Sequence, residues 1–383
     1  MIKWLISKLR GVQTAAAPSE THGRTDTEFT AEVVRITSVN PHPNADRLEI
    51  ARFELKGVGE TTYEVVVGKS DFKPGDLAAY FSVDCILPTS HPDFAFLTKR
   101  LDGAGKSHFR LRAARIRKHF SQGLLVPNNF SLNFGDDCSV PYGVTYHEPA
   151  VKGTPFTPGF KKVVIQPAPI YGVDSLKKAP RLFNDGEAVF ITEKIHGTNF
   201  RFGWVRRKVF GIPFGWKFFV GSHRTVRGTD GKSWYGSDLY AQAADHFKLR
   251  ELTKGHKGMV FYGELYGYTF DGSPIQPGFP YGRTPTTGPG LAIFDIRDMS
   301  LGCWLRPFDR MDILLDLNLQ SPPVLGLIQS FNLTLVRSGW EGLQSRLDKG
   351  TLMEGVVVEA HDGLRRKGKY VHEAYLEAKH DDV

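Results

Sequence analysis

Cysteine and long apolar runs are both scarce in this sequence. Its 383 residues include three cysteines, Cys85, Cys138 and Cys303, which are widely separated and form no Cys-x-x-Cys pair. An odd, scattered set supports neither a disulfide framework nor a zinc site, so we expect a reducing compartment and cysteines that are small core residues. No apolar run approaches the roughly 20 residues that span a bilayer, so we expect no membrane association.

Acidic residues are absent from positions 1–19, where Lys3, Lys8 and Arg10 surround short apolar residues. This composition fits an organelle transit segment, and it also fits a flexible or docking tail, which we favour. We therefore interpret residues 1–27 as a basic flexible leader. The expected location is the cytoplasm or another reducing intracellular compartment, and organelle targeting by residues 1–20 stays open.

Positive charge is in excess, with a formal net charge of +8 and a pI of about 9.2. An anionic partner such as nucleic acid would explain it, but so would a merely soluble basic protein. The distribution is more informative, because residues 99–119 hold eight Lys or Arg against one acid, Asp102, with Phe109 and Phe120 interleaved or adjacent. Cations meet phosphates and aromatic rings stack on bases, although a solvated strand face is the alternative. The predicted nucleic-acid contacts are Lys99, Arg100, Arg110, Arg112, Arg115, Arg117 and Lys118.

Short strand-like runs with Gly and Pro punctuation predict a small β-barrel at residues 28–130. Within it, residues 42–49 (HPNADRLE) are similar to the tRNA-binding OB modules attached to synthetases. A stretch rich in Gly, Pro and Asn predicts a linker at residues 131–160. Residues 161–383 again read as strands with few helices, and the periodicity predicts helices at 237–249, 310–317 and 341–349. We also predict a hairpin over 206–220 that turns at 211–215.

An unusual lysine, Lys194, lies between two apolar strand-like runs and is followed by His196, Gly197 and Asn199. A buried lysine is costly unless it is paired or chemically useful, but Lys-x-x-Gly alone is a common turn pattern. Further along the chain, six residues in the same domain carry charge or an aromatic ring at strand-like segments. They occur in the order Arg224, Glu264, Phe294, Glu354, Lys367 and Lys369. Each alone fits an ordinary surface or salt-bridged position, so the order of the set is the stronger signal.

This ordered set resembles the covalent nucleotidyltransferases, which are the polynucleotide ligases and mRNA capping enzymes. The heptapeptide Glu193–Asn199 (EKIHGTN) is similar to that of bacteriophage-type RNA ligase 2 and of RNA-editing ligases. The N-terminal OB-like module and residues 115–127 (RIRKHFSQGLLVP) resemble instead the Deinococcus- and Naegleria-type RNA ligases. The resemblance covers residues 28–383. It implies an α+β fold, in which an OB-like β-barrel precedes an ATP-grasp-like ligase domain of antiparallel sheets with flanking helices.

The resemblance also implies roles for individual residues. Lys194 would be the nucleophile that takes AMP from ATP, and Lys367 and Lys369 would hold the α-phosphate. Glu354 would bind Mg²⁺ or Mn²⁺, and Glu264 would hold the ribose or the metal. The remaining nucleotide contacts would be made by Glu193 on the adenine side, His196 and Asn199 in the later steps, Gly197 through its backbone, Arg224 at the ribose or phosphate and Phe294 by stacking on adenine. His196 also fits a structural role.

The implied activity is ATP-dependent joining of a 3′-hydroxyl and a 5′-phosphate end by a monomer, on RNA or on a nicked duplex that contains RNA. Two departures from the family pattern stand out. Glu264 lies farther from Lys194 than in phage-type ligases, which the hairpin at 206–220 accounts for, and residues 365–369 offer several cations, so the lysine register is open by one position. The alternatives are a GTP-dependent capping guanylyltransferase and an inactive RNA- or tRNA-binding protein.

Overall fold

The computed structural model describes residues 31–100, 107–146, 168–169, 171–177, 179–209, 212–223, 226–227, 238–361 and 366–376. The predicted leader at 1–27 and Arg224 lie outside these residues. The described chain forms an N-terminal domain that is built mainly of β-strands and a C-terminal domain of two larger sheets with helices. This architecture confirms the predicted α+β class.

The N-terminal domain contains a five-stranded antiparallel sheet in the order β3-β2-β1-β4-β9, a three-stranded sheet in the order β10-β5-β6, and the hairpin β7–β8. A 3₁₀ helix, Pro92–Arg100, follows β5. The strands are β1 Ala31–Pro41, β2 Leu48–Leu55, β3 Gly59–Gly68, β4 Leu77–Phe81, β5 Cys85–Pro88, β6 His108–Arg110, β7 Ala114–Ile116, β8 His119–Ser121, β9 Leu124–Pro127 and β10 Thr145–Tyr146.

The five-stranded sheet is apolar on both faces, because alternate residues of β1 enter two different cores. Val33 packs with Phe81 and Cys85 on one side, while Val34 packs with Phe53 and Tyr80 on the other. Cys85 and Cys138 are buried, as predicted, and burial raises the pKa of the Cys85 thiol to about 12. Cys303 is exposed, so the prediction of a core position was wrong for that cysteine.

The predicted linker begins too early. Cys138, Tyr142 and Val144 are buried in the N-terminal core with Phe81 and Phe94, and β10 pairs with β5. Burial of these apolar side chains stabilises the fold of the first domain, whereas a linker would leave them exposed to solvent. Residues 131–146 therefore belong to the first domain. The rest of the predicted linker, residues 147–160, lies outside the described chain.

The C-terminal domain contains two sheets. The Lys194 sheet has the order β11-β21-β20-β12-β19, and the Glu264 sheet has the order β15-β14-β13-β16-β17-β18. Their pairings are antiparallel apart from β11 with β21. The strands are β11 Asp174–Ser175, β12 Val189–Lys194, β13 Thr198–Val209, β14 Ile212–Gly221, β15 Val226–Arg227, β16 Met259–Gly267, β17 Pro289–Asp298, β18 Cys303–Trp304, β19 Val324–Ile328, β20 Gly355–Ala360 and β21 Lys367–Val371.

The helices are α1 Leu239–His246, α2 Leu249–Leu252, α3 Pro307–Asp316 and α4 Leu333–Ser338, with a 3₁₀ turn at Thr253–Gly255. The predicted helices at 237–249 and 310–317 correspond to α1 and α3. The predicted helix at 341–349 was wrong, because backbone N–H groups of that segment bind side chains instead: Arg346 N donates to Glu193 and Leu347 N to Ser345 Oγ. The hairpin β13–β14 is present, but its two strands meet at residues 209 and 212 rather than around 211–215.

Three residues, 195–197, connect β12 to β13 and lead from the Lys194 sheet to the Glu264 sheet. Lys194, the last residue of β12, therefore lies at the crossover between the two sheets of the C-terminal domain.

The N-terminal and C-terminal domains are in contact. Arg181 Nη2 lies 2.8 Å from Glu32 Oε1, and Gln122 Nε2 donates to Glu373 Oε1 at 3.2 Å.

Candidate active site

One face of the Lys194 sheet carries most of its charged residues. In register, Lys194 pairs with Gly355, Thr192 with Val357, and Phe190 with Glu359; Val357 and Glu359 in turn pair with Lys369 and Lys367. Directly paired residues share a face, and every second residue of a strand returns to it. Lys194, Glu359, Lys367 and Lys369 therefore share one face, which we call the cleft face.

The Lys194 amine contacts a carboxylate of the same sheet. Its Nζ lies 2.7 Å from Glu354 Oε2, and Glu354 immediately precedes β20. The Lys194 side chain is 23% exposed and that of Glu354 7%, so the amine remains accessible while its partner is buried. His196 Nδ1 lies 3.8 Å from the same oxygen, a distance at which the two attract if the imidazole is protonated.

Glu264 and Gly197 form a close contact at the crossover. Gly197 N donates to Glu264 Oε1 at 3.1 Å. A Cβ at position 197 would lie 2.1 Å from the Leu265 carbonyl oxygen, so only glycine permits this approach. Burial raises the pKa of Glu264 to about 8; the charge of Lys194 acts in the opposite direction and that of Glu354 in the same one. Asn199 pairs with Glu264 across the sheet, and its buried Oδ1 accepts no hydrogen bond from the described residues.

The loop between β16 and β17 fixes the crossover, a role that the sequence patterns did not reveal. His196 N donates to Tyr281 Oη at 2.8 Å, and Gln276 Nε2 donates to the Gly197 carbonyl at 2.8 Å. The imidazole of His196 meets the rings of Phe279 and Tyr375 edge-on, with centroids 5.3 and 5.6 Å away. The only sequence signal was position, since this loop lies between Glu264 and Phe294.

Glu193 points away from Lys194, as expected for neighbours in a strand. Its buried carboxylate accepts hydrogen bonds from Ser345 Oγ at 2.5 Å and from Arg346 N at 2.8 Å. Burial raises its pKa, although these two hydrogen bonds oppose the shift. The side chain therefore anchors residues 345–346, and a contact with adenine would have to come from the Glu193 backbone.

The two lysines of β21 have different environments. Lys367 is buried, with its Nζ 3.0 Å from both Asp295 Oδ2 and Glu359 Oε2. Lys369 is half-buried, and its pKa is lowered mainly by burial and further by the charge of Lys194. The structure thus brings Lys369 into electrostatic contact with Lys194, whereas Lys367 is held by carboxylates.

Phe294 occupies a bulge of β17, between residues paired with Tyr262 and with Gly263. It is half-buried, and the ring of Tyr171 packs against it with a centroid distance of 4.7 Å. Tyr171 belongs to a segment whose carbonyls are bound by the Glu264 sheet: Tyr262 Oη donates to Pro169, and His223 Nε2 bonds to Tyr171. These bonds fix the ring that supports Phe294.

The side chains predicted to contact nucleic acid, between residues 99 and 118, are only partly exposed to solvent. Its exposed members are Lys99, Arg112, Arg115, Arg117 and Lys118; Arg110 is half-buried and pairs with Asp84, and nothing is described of the Arg100 side chain. Arg117 and Lys118 form the tip of the β7–β8 hairpin, with φ of 50° and 71°. The HPNADRLE segment supports this tip, because His42 Nε2 bonds to the Ile116 carbonyl at 3.1 Å and Asn44 Nδ2 to the Arg117 carbonyl at 3.2 Å.

The described residues contain no cluster of three or more His, Cys, Asp or Glu side chains that could hold a metal ion unaided. Glu264 and Glu354 nevertheless interact electrostatically, and the raised pKa of Glu264 reflects both burial and this negative neighbour. A divalent cation that takes the rest of its ligands from phosphate and water would relieve that repulsion. The pair thus fits a shared, substrate-dependent metal site.

No helix in the described part of the chain is long and apolar enough to cross a membrane.

Two family models match the chain. An OB-fold domain model matches residues 30–128, and the RNA ligase model matches residues 187–371. Among solved structures, a lysine-to-alanine mutant of Naegleria gruberi RNA ligase with ATP and Mn is similar at 22% identity and a TM-score of 0.61, covering 92% of this chain and 99% of its own. The same ligase with pyrophosphate is similar at 24% identity and a TM-score of 0.59, again covering 92% and 99%. At this identity the likeness shows the fold. No protein of curated function matches the chain.

Proposed function

We propose that this enzyme joins 3′-hydroxyl and 5′-phosphate ends of RNA through a covalent lysyl-AMP, because residues 187–371 match the RNA ligase family model and follow residues 30–128, which match an OB-fold domain model. The observation that carries the proposal is the Lys194 amine, which lies at the crossover between the two sheets, 2.7 Å from Glu354. Glu264 and Lys369 both interact electrostatically with it.

In the first step, the Lys194 Nζ, once it has lost its proton, attacks the α-phosphorus of ATP. A P–N bond forms while the bond to the pyrophosphate oxygen breaks. Lys369, on the same cleft face, would neutralise the negative charge that grows on the α-phosphate oxygens. The Naegleria structures with ATP and with pyrophosphate support ATP as the donor.

Glu354 and Glu264 would hold Mg²⁺ or Mn²⁺ together with phosphate oxygens. A bound divalent cation supplies charge neutralisation and polarises the phosphoryl oxygens. When Glu354 contacts the cation, its ion pair with Lys194 weakens, which favours the neutral amine needed for attack. Manganese in the similar Naegleria structures supports this use of a metal.

Five other predicted contacts retain the roles that the resemblance implies. Phe294 would stack on adenine, and Gly197 would let the backbone approach the phosphate. His196 and Asn199 would act in the later steps, in which AMP passes to the 5′-phosphate and the 3′-hydroxyl displaces it. The unpartnered Asn199 Oδ1 supports such a role, since a buried polar atom without a partner is costly unless a ligand satisfies it. Arg224 would hold the ribose or phosphate, and it lies outside the described residues.

The N-terminal domain would hold the RNA strand or duplex near the joint. The exposed cations at the β7–β8 hairpin and the neighbouring Arg112 support contact with the phosphate backbone. The OB-fold match supports the same assignment, since this fold is widely used for single-stranded nucleic acid.

Intact mass spectrometry tests the proposal. The purified protein, incubated with ATP and Mg²⁺, should gain the mass of one AMP and should then seal a nicked duplex that contains RNA. Lys194→Ala should lose both activities, whereas Lys254→Ala, a change at an exposed lysine of the same domain, should keep them. Labelling by GTP alone would favour a capping enzyme, and the absence of any adduct on the wild-type protein would contradict the ligase mechanism.

A further inference from the structure

Four charged side chains are buried together beside Phe294: Asp295, Arg310, Glu359 and Lys367. Arg310 binds Glu359 through two nitrogens, at 3.2 and 2.9 Å, and reaches Asp295 Oδ1 at 3.3 Å. Lys367 Nζ lies 3.0 Å from Asp295 Oδ2 and 3.0 Å from Glu359 Oε2. Each cation therefore contacts both carboxylates, and we call this electroneutral group the tetrad.

The tetrad joins three layers of the C-terminal domain. Asp295 belongs to β17 of the Glu264 sheet, Arg310 to helix α3, and Glu359 and Lys367 to the paired strands β20 and β21 of the Lys194 sheet. Its members therefore cross-link the two sheets that carry Lys194 and Glu264. Two residues close to tetrad members in sequence have proposed contacts with the nucleotide. Phe294 immediately precedes Asp295, and Lys369 follows Lys367 by two residues in β21.

The Lys367 amine is buried and bound by its neighbours. Lys367 Nζ donates hydrogen bonds to Asp295 Oδ2 at 3.0 Å and to the Phe294 carbonyl at 3.4 Å, and it forms an ion pair with Glu359 Oε2 at 3.0 Å. Lys369 makes no ion pair with the residues that the structure describes; its amine is repelled by the charge of Lys194 and attracted by the charges of Glu354 and Asp174. The two lysines thus share a cleft face but differ in what remains available to a phosphate.

We propose that Lys369 alone of these two lysines contacts the α-phosphate. The tetrad, including Lys367 and Arg310, has a positioning role: it holds Lys369 of the Lys194 sheet and Phe294 of the Glu264 sheet in place relative to each other. This inference rests on the proposed adenylylation and refines it. The competing possibility is that Lys367 leaves its carboxylates when ATP binds and contacts the phosphate directly.

Charge balance separates these possibilities. Removing one member of a buried ionic group leaves an uncompensated charge, whereas removing one charge of each sign restores neutrality. Lys367→Met leaves an excess negative charge, and Lys367→Met combined with Glu359→Gln does not. A positioning lysine should be rescued by the second change, but a lysine that contacts phosphate should not.

The experiment measures the rate constant of lysyl-AMP formation at saturating ATP, the KM for ATP and the Tm of each variant. Lys367→Met should lower the Tm and slow the step roughly a hundredfold, because small displacements of reacting groups carry penalties of that size. Adding Glu359→Gln should restore the Tm and bring the rate to within about tenfold of wild type. Lys369→Met should slow the step roughly a hundred- to a thousandfold with little change in Tm, and Glu359→Gln should not rescue it.

A double variant that regains the wild-type Tm but stays as slow as Lys369→Met would overturn the inference, because Lys367 would then act on the phosphate itself. If Lys367→Met fails to fold, the double variant is compared with Glu359→Gln alone: similar rates support positioning, and a hundredfold deficit contradicts it. A wild-type protein that forms no lysyl-AMP would instead refute the proposed function. The Tm values of wild type, Lys367→Met, Glu359→Gln and their double variant would still report whether Lys367 and Glu359 are coupled.

Discussion

At the scale of single residues, the proposed site depends on carboxyl groups whose ionisation is opposed by the fold. Glu264 is half-buried, near Glu354, and accepts a hydrogen bond from the Gly197 amide. Burial raises its pKa from 4.5 to about 8, so in the nucleotide-free enzyme at neutral pH the protonated form prevails. The folded state then holds a proton that the unfolded chain has already released. The Glu264 carboxyl therefore contributes to the stability of the fold, and this contribution is fully present below about pH 4.5. It is lost as the pH rises through about 8.

We therefore expect Glu264→Gln to be more thermostable than wild type at pH 9 in the presence of a metal chelator, by on the order of 5 °C. The advantage should shrink towards pH 5, where wild type carries the proton. Thermal unfolding across this pH range measures it, with the exposed Glu251→Gln as a control that should follow wild type. Parallel profiles for Glu264→Gln and wild type would contradict the raised pKa.

Gly197 provides a steric prediction at the same scale. In Gly197→Ala the new methyl group would lie 2.1 Å from the Leu265 carbonyl oxygen, so strand β16 or the crossover must shift. We expect a loss of roughly 1–3 kcal/mol in the free energy of unfolding and a much slower formation of lysyl-AMP. Gly255→Ala is the matched control, since a Cβ there meets nothing within 4 Å. Equal tolerance of both changes by chemical denaturation would show that the crossover is not tightly packed.

At the scale of elements, local patterns predicted some features well and missed others for identifiable reasons. Helix α3 was predictable because its periodic apolar residues, such as Met311 and Leu314, face a core. The segment at 341–349 has helical spacing, but its backbone N–H groups donate to the side chains of Glu193, which is distant in sequence, and of Ser345. The same limit applies to the site: Lys194 and Glu354 were recognisable from residue order, whereas Tyr281 and Gln276 act through a loop with no such pattern. Arg310 was also missed, because its carboxylate partners lie on other strands.

The β7–β8 hairpin gives a prediction for RNA binding. Its tip residues Arg117 and Lys118 are exposed, and His42 and Asn44 hold the carbonyls beside them. Arg117→Gln combined with Lys118→Gln should weaken binding to a nicked RNA duplex and reduce the slope of log affinity against log salt by about 1–2. Fluorescence anisotropy over a range of salt concentrations measures both quantities. The exposed Lys73→Gln serves as the control, and an unchanged slope in the double variant would place the tip outside the RNA interface.

At the scale of the whole molecule, the proposed role of the N-terminal domain in joining requires that its orientation relative to the cleft face is maintained. Arg181 of the C-terminal domain contributes to this, because Nη2 pairs with Glu32 at 2.8 Å and Nε donates to the Lys56 carbonyl at 3.2 Å. Gln122 and Glu373 provide a second contact between the domains. None of these four side chains contacts Lys194, Glu264 or Glu354 in the described structure, so the interface should affect RNA placement more than nucleotide chemistry.

Arg181→Ala should therefore leave the rate of lysyl-AMP formation unchanged and slow the sealing of a nicked duplex by roughly three- to tenfold at subsaturating RNA, since loss of pre-organisation raises the cost of binding. Single-turnover adenylylation and sealing, measured on the same preparation, separate the two effects. Arg306→Ala is the matched control, because Arg306 forms an exposed pair with Asp309 within one domain. If Arg181→Ala slowed both reactions equally, the contact would stabilise the C-terminal domain itself. If it slowed neither, the orientation of the N-terminal domain would have to be maintained by other contacts. A Gln122→Ala variant would then show whether the hydrogen bond between Gln122 and Glu373 maintains it.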